Sequence, residues 1–368
     1  CDGIMNDTDE KIQEAAMWYQ KVAEQGNMKG QYEWGDCYYH GWGVDENKTE
    51  AVKWYRKAAE QGFAQAQRTL GDCYYNGDGA EEDDKEAAKW YRKAAEQNDA
   101  KAQYKLGQCY EDAVGVDLDM EKAAEWYKKS AEHGNREAQC KIGYCYYFGW
   151  GVDENKTEAV KWYKRAAEQD HAEAQYDLGE CYYHGWGVQK NEGEAVKWFE
   201  EAAENYNADA QYELGCCYYN GEGVEKNSAK AVEWYREAAE HGHAAAQCYL
   251  GYCYENGEGV EKNSAKAVEW YRKSAENGNE LAQYNLGNCY KCGDGVTKDL
   301  GRAAEWYRKS AEQGYAMAQC NLGYCYKNGI GVEKDVIKAT EWYQKSAENG
   351  DASAQYNLGI CYEYGTGV

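Results

Sequence analysis

Apolar residues recur along the chain at helical rather than strand spacing. In the stretch around Lys53 to Gln61 the apolar set is Ala51, Val52, Trp54, Tyr55, Ala58 and Ala59, a stripe of period near 3.6 that predicts an amphipathic helix ending at Gly62. From Ala64 to Asn76 a second stripe, Ala66, Leu70, Cys73 and Tyr74, predicts another helix ending at Gly77. We call the first kind helix B and the second helix A. The loop from A to the next B, such as Gly41 to Asn47, uses its glycines for positive φ and places Val44 toward the core.

This A–loop–B phrase repeats. Cys37, Cys73, Cys109, Cys145, Cys181, Cys217, Cys253, Cys289, Cys325 and Cys361 are each 36 residues after the last, so the array carries no insertion or deletion. A period of that length with two helices per unit predicts an all-α solenoid whose units contact only their neighbours. The expected fold is ten 36-residue helix-turn-helix repeats, about twenty antiparallel helices in one domain over residues 1–368. Proline is absent, which suits uninterrupted helices. The array opens with a B helix near Asp9 to Gln25 and closes with an A helix near Ala352 to Tyr364, and neither end carries a polar cap unit. With Cys1 at the start, this reads as a piece of a longer protein.

The phrases "LGxCYxxGxGV" and "KAVxWYRKAAEQG", repeated throughout, resemble the Sel1-like repeat, a relative of the tetratricopeptide repeat. The resemblance implies a right-handed α/α superhelix whose members are mostly adaptors or scaffolds holding a partner on the curved inner surface. A cysteine-rich secreted branch staples each unit with a cysteine pair eight residues apart. The matching positions here are Ala59 and Gln67, then Ala95 and Gln103, so the staple and the oxidised character it implies are missing.

Composition narrows the partners. The formal charge is −24, from 41 basic and 65 acidic residues, and such a surface repels nucleic acid and anionic lipid. No apolar run nears the roughly 20 residues a membrane-spanning helix needs. The ten periodic cysteines of the sixteen occupy one equivalent place in units spaced about 8–10 Å apart. That is beyond the reach of about 7 Å that a disulfide allows, so they are expected to be free, buried thiols. Reduced cysteine points to a cytoplasmic compartment, with export left open by the missing native N-terminus.

Function is sought where the copies differ. In the second A helix the variable places are Gln65, Thr69, Asp72 and Asn76, one face of the helix opposite the core. In related solenoids this face lines the concave groove. The set is polar early on, Lys29, Glu33, Asp36, His40 and again Glu173, Asp177, Glu180, His184. It then changes to Tyr249, Tyr252 and Asn256, to Leu281, Asn285 and Asn288, and to Met317, Asn321, Tyr324 and Asn328, ending with Asn357, Ile360 and Tyr364. A ladder of amides at Asn285, Asn321 and Asn357 suits an extended peptide backbone, and tyrosines beside it add apolar area at little entropic cost. Solvated helix residues are the equal alternative. Trp42, Trp150 and Trp186, each between two loop glycines, form a rim patch if exposed, or else pack on the next loop.

The invariant Gln31, Gln67 and Gln103 with Glu24, Glu60 and Glu96 are expected to satisfy orphan amides entering helix A. Catalytic and metal signals are weak. No histidine of the six forms a helical pair with a second ligand, and Cys289 with Cys292 is a lone CxxC, so no metal and no cofactor are expected. Cys140, Cys248 and Cys320 stand where other units have tyrosine, and Cys216 lies on the variable face, reactive if exposed. The GxG loops follow helices rather than strands, and no serine is followed by lysine three residues on. The reading is a non-catalytic scaffold binding a peptide or protein in the A-helix groove. The alternative is a structural spacer that stacks end to end.

Overall fold

The protein is described by a computed structural model covering residues 7–367, with side chains from residue 10. Twenty α-helices alternate B and A along the chain, and strands are absent among the described residues. The chain divides into two compact units, residues 1–190 and 191–368.

The first unit holds α1 (Asp7–Glu24), α2 (Met28–His40), α3 (Lys48–Glu60), α4 (Ala64–Asn76), α5 (Asp84–Ala95), α6 (Ala100–Asp112), α7 (Met120–Glu132), α8 (Arg136–Phe148), α9 (Lys156–Ala167) and α10 (Ala172–His184). The second holds α11 (Glu192–Glu204), α12 (Ala208–Asn220), α13 (Ser228–Glu240), α14 (Ala244–Asn256), α15 (Ser264–Glu276), α16 (Glu280–Cys292), α17 (Leu300–Glu312), α18 (Ala316–Asn328), α19 (Val336–Glu348) and α20 (Ala352–Glu363). Within each unit every helix packs on the one before and the one after it.

Each B helix from α3 onward starts on an Asn or Asp cap; Asn47 Oδ1, for instance, accepts the Glu50 N–H at 3.0 Å. Each A helix of the first nine ends on a left-handed residue, Gly77 at φ 72° among them. At the equivalent place after α6 an alanine, Ala113, takes φ 58°.

The core repeats one contact. The second aromatic of each WY pair, Tyr91 for example, is 1% exposed and lies against the glycine of the preceding A helix. A Cβ on Gly71 would sit 2.7 Å from the Tyr91 ring, and the same holds at Gly107 with Tyr127 and at Gly251 with Tyr271. These glycines set how closely A and B approach. The ten periodic cysteines are buried and unpaired, as expected.

The invariant glutamines do a different job from the one anticipated. Gln67 Nε2 donates to Ala59 O at 3.0 Å, a carbonyl at the C-terminus of α3 that also accepts the Gly62 N–H, while its Oε1 accepts Gln97 Nε2 of the next repeat at 2.7 Å. They therefore meet carbonyls at the end of helix B, not amides entering helix A, and tie repeat to repeat. The amides entering the A helices are mostly met by the side chain just before them, Asn135 Oδ1 accepting Ala138 N–H at 2.7 Å and Asp99 Oδ1 accepting Ala102 N–H at 2.8 Å. Glu24, Glu60 and Glu96 are exposed instead.

Candidate functional site

The variable positions of the A helices lie at the surface. Lys29, Gln65 and Glu173 are exposed, and Glu33, Thr69 and Asp177 are half-buried. This face is not fully free to vary, because buried tyrosines of several B helices send their hydroxyls to it or just beside it. Tyr55 donates to Asp36 Oδ1 at 2.6 Å, Tyr91 to Asp72 Oδ1 at 2.8 Å and Tyr271 to Glu255 Oε2 at 2.6 Å. Tyr307 donates to Asn288 Oδ1 at 2.7 Å. Asn288 thus has an internal duty as the acceptor for a buried phenol.

The other amides are also engaged. Asn285 hydrogen-bonds the Cys248 thiol and Asn321 the Tyr307 hydroxyl. Asn357 Nδ2 donates to Ser353 O at 2.9 Å, and Asn256 and Asn328 donate to Tyr252 O and Tyr324 O one turn back. Using the side chain to cap a carbonyl within its own helix accounts for asparagine at exposed helical sites.

What the second unit does form on this face is an aromatic depression of about 470 Å³. It is lined by Tyr219 of α12, Cys248, Tyr249 and Tyr252 of α14, Leu281, Tyr284 and Asn285 of α16, then Tyr315 and Met317 at the start of α18. Five residues of the anticipated face, Tyr249, Tyr252, Leu281, Asn285 and Met317, meet here. Asn288, Asn321, Asn357, Tyr324, Asn256, Asn328 and Tyr364 lie outside this lining.

The walls are preorganised. Tyr249 stacks on Tyr235 with ring centres 5.5 Å apart, and Tyr284 packs on Tyr315 at 5.3 Å. Tyr219 hydrogen-bonds Glu258. Tyr252 and Met317 stay 39% and 50% exposed, so apolar surface remains open to a ligand. Tyr284 belongs to the shared repeat phrase and carried no sequence signal. Tyr315 did carry one, since it occupies a capping place held in most repeats by Asn, Asp or His and makes no side-chain cap bond.

The three loop tryptophans are placed differently from one another. Trp42 and Trp150 are 50% and 47% exposed, each stacked on the last residue of its own A helix, His40 at 4.4 Å and Phe148 at 4.7 Å. Trp186 is half-buried, stacked on His184 at 4.2 Å and edge-on to Tyr147 of the preceding repeat at 5.8 Å. Cys216 is half-buried and accepts from the Tyr235 hydroxyl at 3.5 Å; burial raises its thiol, so it is not the reactive group anticipated. Among the described cysteines Cys292 is the exposed one. One group of possible metal ligands, Cys140, His171 and Glu173, brings its donor atoms within 4.8 Å of one another.

The GxG loops are packing devices. The second glycine is held against the first turn of the preceding B helix, where a Cβ on Gly115 would lie 1.9 Å from Asp84 O and one on Gly151 1.9 Å from Met120 O. No helix among the described residues is long and apolar enough to cross a membrane.

Two-helix modules, each packed on the next through a repeated Tyr–Gly contact and a glutamine tie, define an α-solenoid of the tetratricopeptide-like class. The Sel1 repeat model matches residues 2–27, 29–63, 64–99, 100–135, 136–171, 172–207, 208–243, 244–279, 281–315, 316–351 and 352–368. The chain belongs to the Sel1 repeat family.

Among solved structures it is similar to c5321, a protective antigen of uropathogenic Escherichia coli with an SLR fold, at 36% identity and TM-score 0.67, covering 96% of this chain and 84% of that one. It is also similar to a Sel1 repeat protein from Oxalobacter formigenes, at 32% identity and TM-score 0.68, covering 84% of this chain and 90% of that one. No curated protein matches it. Repeats of this family typically mediate protein–protein interaction, and their solenoids are in general scaffolds, not enzymes.

Proposed function

We propose that this chain is a non-catalytic scaffold that captures a partner protein or peptide on the A-helix face of its second unit. The aromatic depression is the anchor point. The observation that carries this reading is the joining of Tyr219, Tyr249, Tyr252, Tyr284 and Met317, from four successive A-helix segments, into one apolar basin with two exposed members. Rigid aromatic walls bind at low entropic cost, and such residues dominate binding energy elsewhere. Glu213, Glu255 and Glu280 lie on the same helices, so the favoured ligand is a segment with an aliphatic or aromatic anchor flanked by Lys or Arg. The amide ladder has a reduced part, since Asn285 alone of its three members lines the basin.

The test is selection of peptides from a random displayed library, followed by titration against the protein and against Tyr252→Ala/Met317→Ala. Both side chains are exposed, so folding is expected to be unchanged. Loss of about 2 kcal/mol or more, the scale of an interface hot spot, supports the reading. Peptides that bind both proteins equally refute it.

A second reading, end-to-end self-association, draws on the apolar exposure of the outermost helices. Met17 and Trp18 of α1 are 54% and 57% exposed, and Tyr356 of α20 is 72% exposed. Light scattering that grows with concentration, and that Trp18→Glu abolishes, would favour it; a constant mass would exclude it.

A further inference from the structure

We infer that Cys140, His171 and Glu173, with Asp177, form a zinc-class metal site on the A-helix face of the first unit. Cys140 projects from α8, His171 caps the N-terminus of α10, and Glu173 and Asp177 stand one helical turn apart on α10. Thiol sulfur, imidazole nitrogen and carboxylate oxygen of the first three already lie within 4.8 Å of one another. Around a tetrahedral zinc with bonds of about 2.0–2.3 Å, donor atoms are separated by about 3.3–3.8 Å, so side-chain rotations that draw the donors together by about 1 Å close the site. The repeat supplies this convergence here because Cys140 replaces a tyrosine whose ring would fill the space, as Tyr104 does one repeat earlier against Tyr127.

A second, independent observation points to a missing cation. Asp177 Oδ2 is buried and has no hydrogen-bond partner, an expensive state for a carboxylate. Asp177 stands one turn along α10 from Glu173. A bound divalent ion supplies the absent partner.

Tyr144 completes an outer shell. Its hydroxyl donates to Glu173 Oε1 at 3.1 Å and lies near Asp177 and Cys140. Nearby cations are occupied elsewhere, Lys141 with Glu111 at 3.2 Å and Arg136 with Glu137 at 3.3 Å. His171 caps the N-terminus of α10 through its ring. Its Nδ1 accepts the Ala174 N–H at 3.2 Å, so ligation at either nitrogen ends that long cap bond. Binding also releases the Cys140 proton to solvent, because the thiolate is the ligand. A mixed S, N, O set of this kind suits zinc rather than calcium or magnesium.

The experiment uses the full chain with Cys292→Ser as background, reduced and chelator-treated, titrated with Zn²⁺ alone and with Co²⁺ alone. One equivalent of Co²⁺ is expected, with a thiolate-to-metal band and the intense visible absorption of a tetrahedral site, both removed by Zn²⁺. Cys140→Ser should abolish the thiolate band. His171→Asn restores the capping residue of Asn135 and so separates ligation from helix stability. It should weaken binding beyond the roughly 10–100-fold typical of outer-shell changes, while Tyr144→Phe should fall within that range. Circular dichroism confirms that each variant is folded. Failure to bind one equivalent, or a thiolate band that survives Cys140→Ser in a folded protein, overturns the assignment.

Discussion

The two glycines of the GxG loop have similar dihedral angles and different surroundings, which allows conformational cost to be separated from packing. Gly149 has φ +73° with its nearest neighbours 3.5–3.6 Å from a built Cβ, whereas Gly151 has φ +68° and a Cβ 1.9 Å from Met120 O. Gly149→Ala therefore carries the left-handed penalty alone, about 1 kcal/mol. Ala113 at the equivalent place, with φ 58°, shows that the loop accommodates it. Gly151→Ala carries the same penalty and forces the first turn of α7 aside, adding about 1–3 kcal/mol of overpacking. The atom in the way is backbone and cannot rotate off.

For a unit of this size 1 kcal/mol corresponds to roughly 2–4 °C, so Tm should fall by about 3 °C for Gly149→Ala and about 9 °C for Gly151→Ala. Thermal and urea unfolding followed by circular dichroism at 222 nm read both. Equal destabilisation of the two variants would refute the claim that close approach, and not positive φ, fixes the second glycine.

Three further outcomes follow from the same geometry. Gln67→Ala removes one of the two donors to Ala59 O and the acceptor through which the Gln97 side chain ties the next repeat, so about 0.5–1.5 kcal/mol of stability should be lost, read by urea unfolding. Burial raises Asp36 above its ordinary range, so between about pH 4, where the unfolded group titrates, and its higher folded value, the native state holds the proton more tightly and stability falls as pH rises. Asp36→Asn keeps an acceptor for Tyr55, as Asn288 does for Tyr307, and should flatten that part of the stability–pH curve; an unchanged slope would show that Asp36 is not its source. A thiol reagent at neutral pH should label Cys292 well before Cys73, whose thiol burial lifts to about 12, as peptide mapping of the labelled protein would show.

The helices were legible because their signal is local. Ala64 to Asn76 ends at Gly77 both in the pattern and in the molecule, since apolar spacing and a left-handed cap are properties of a dozen consecutive residues. The site was legible only in outline. Tyr249, Tyr252 and Asn285 were found as variable positions on an exposed face, but Tyr219, Tyr284 and Tyr315 join them only because successive A helices lie side by side. Cys140 and His171 sit on different A-helix segments, so no helical spacing could pair them. Asn288 looked like a ligand contact and proved to be a phenol's acceptor, because the donor, Tyr307, arrives from the next helix.

By itself the chain determined its period, its twenty helices, their ends, and the burial of its ten periodic cysteines, all consequences of side-chain pattern and backbone sterics within one repeat. Tertiary structure alone decided which glutamine atoms meet carbonyls, which polar residues on the A face are already partnered, and where aromatic rings or metal-binding groups converge. Those outcomes depend on distances between residues on different helices, 8 positions apart for Gln67 and Ala59 and 30 for Gln67 and Gln97, set by how closely glycine lets one helix approach the next.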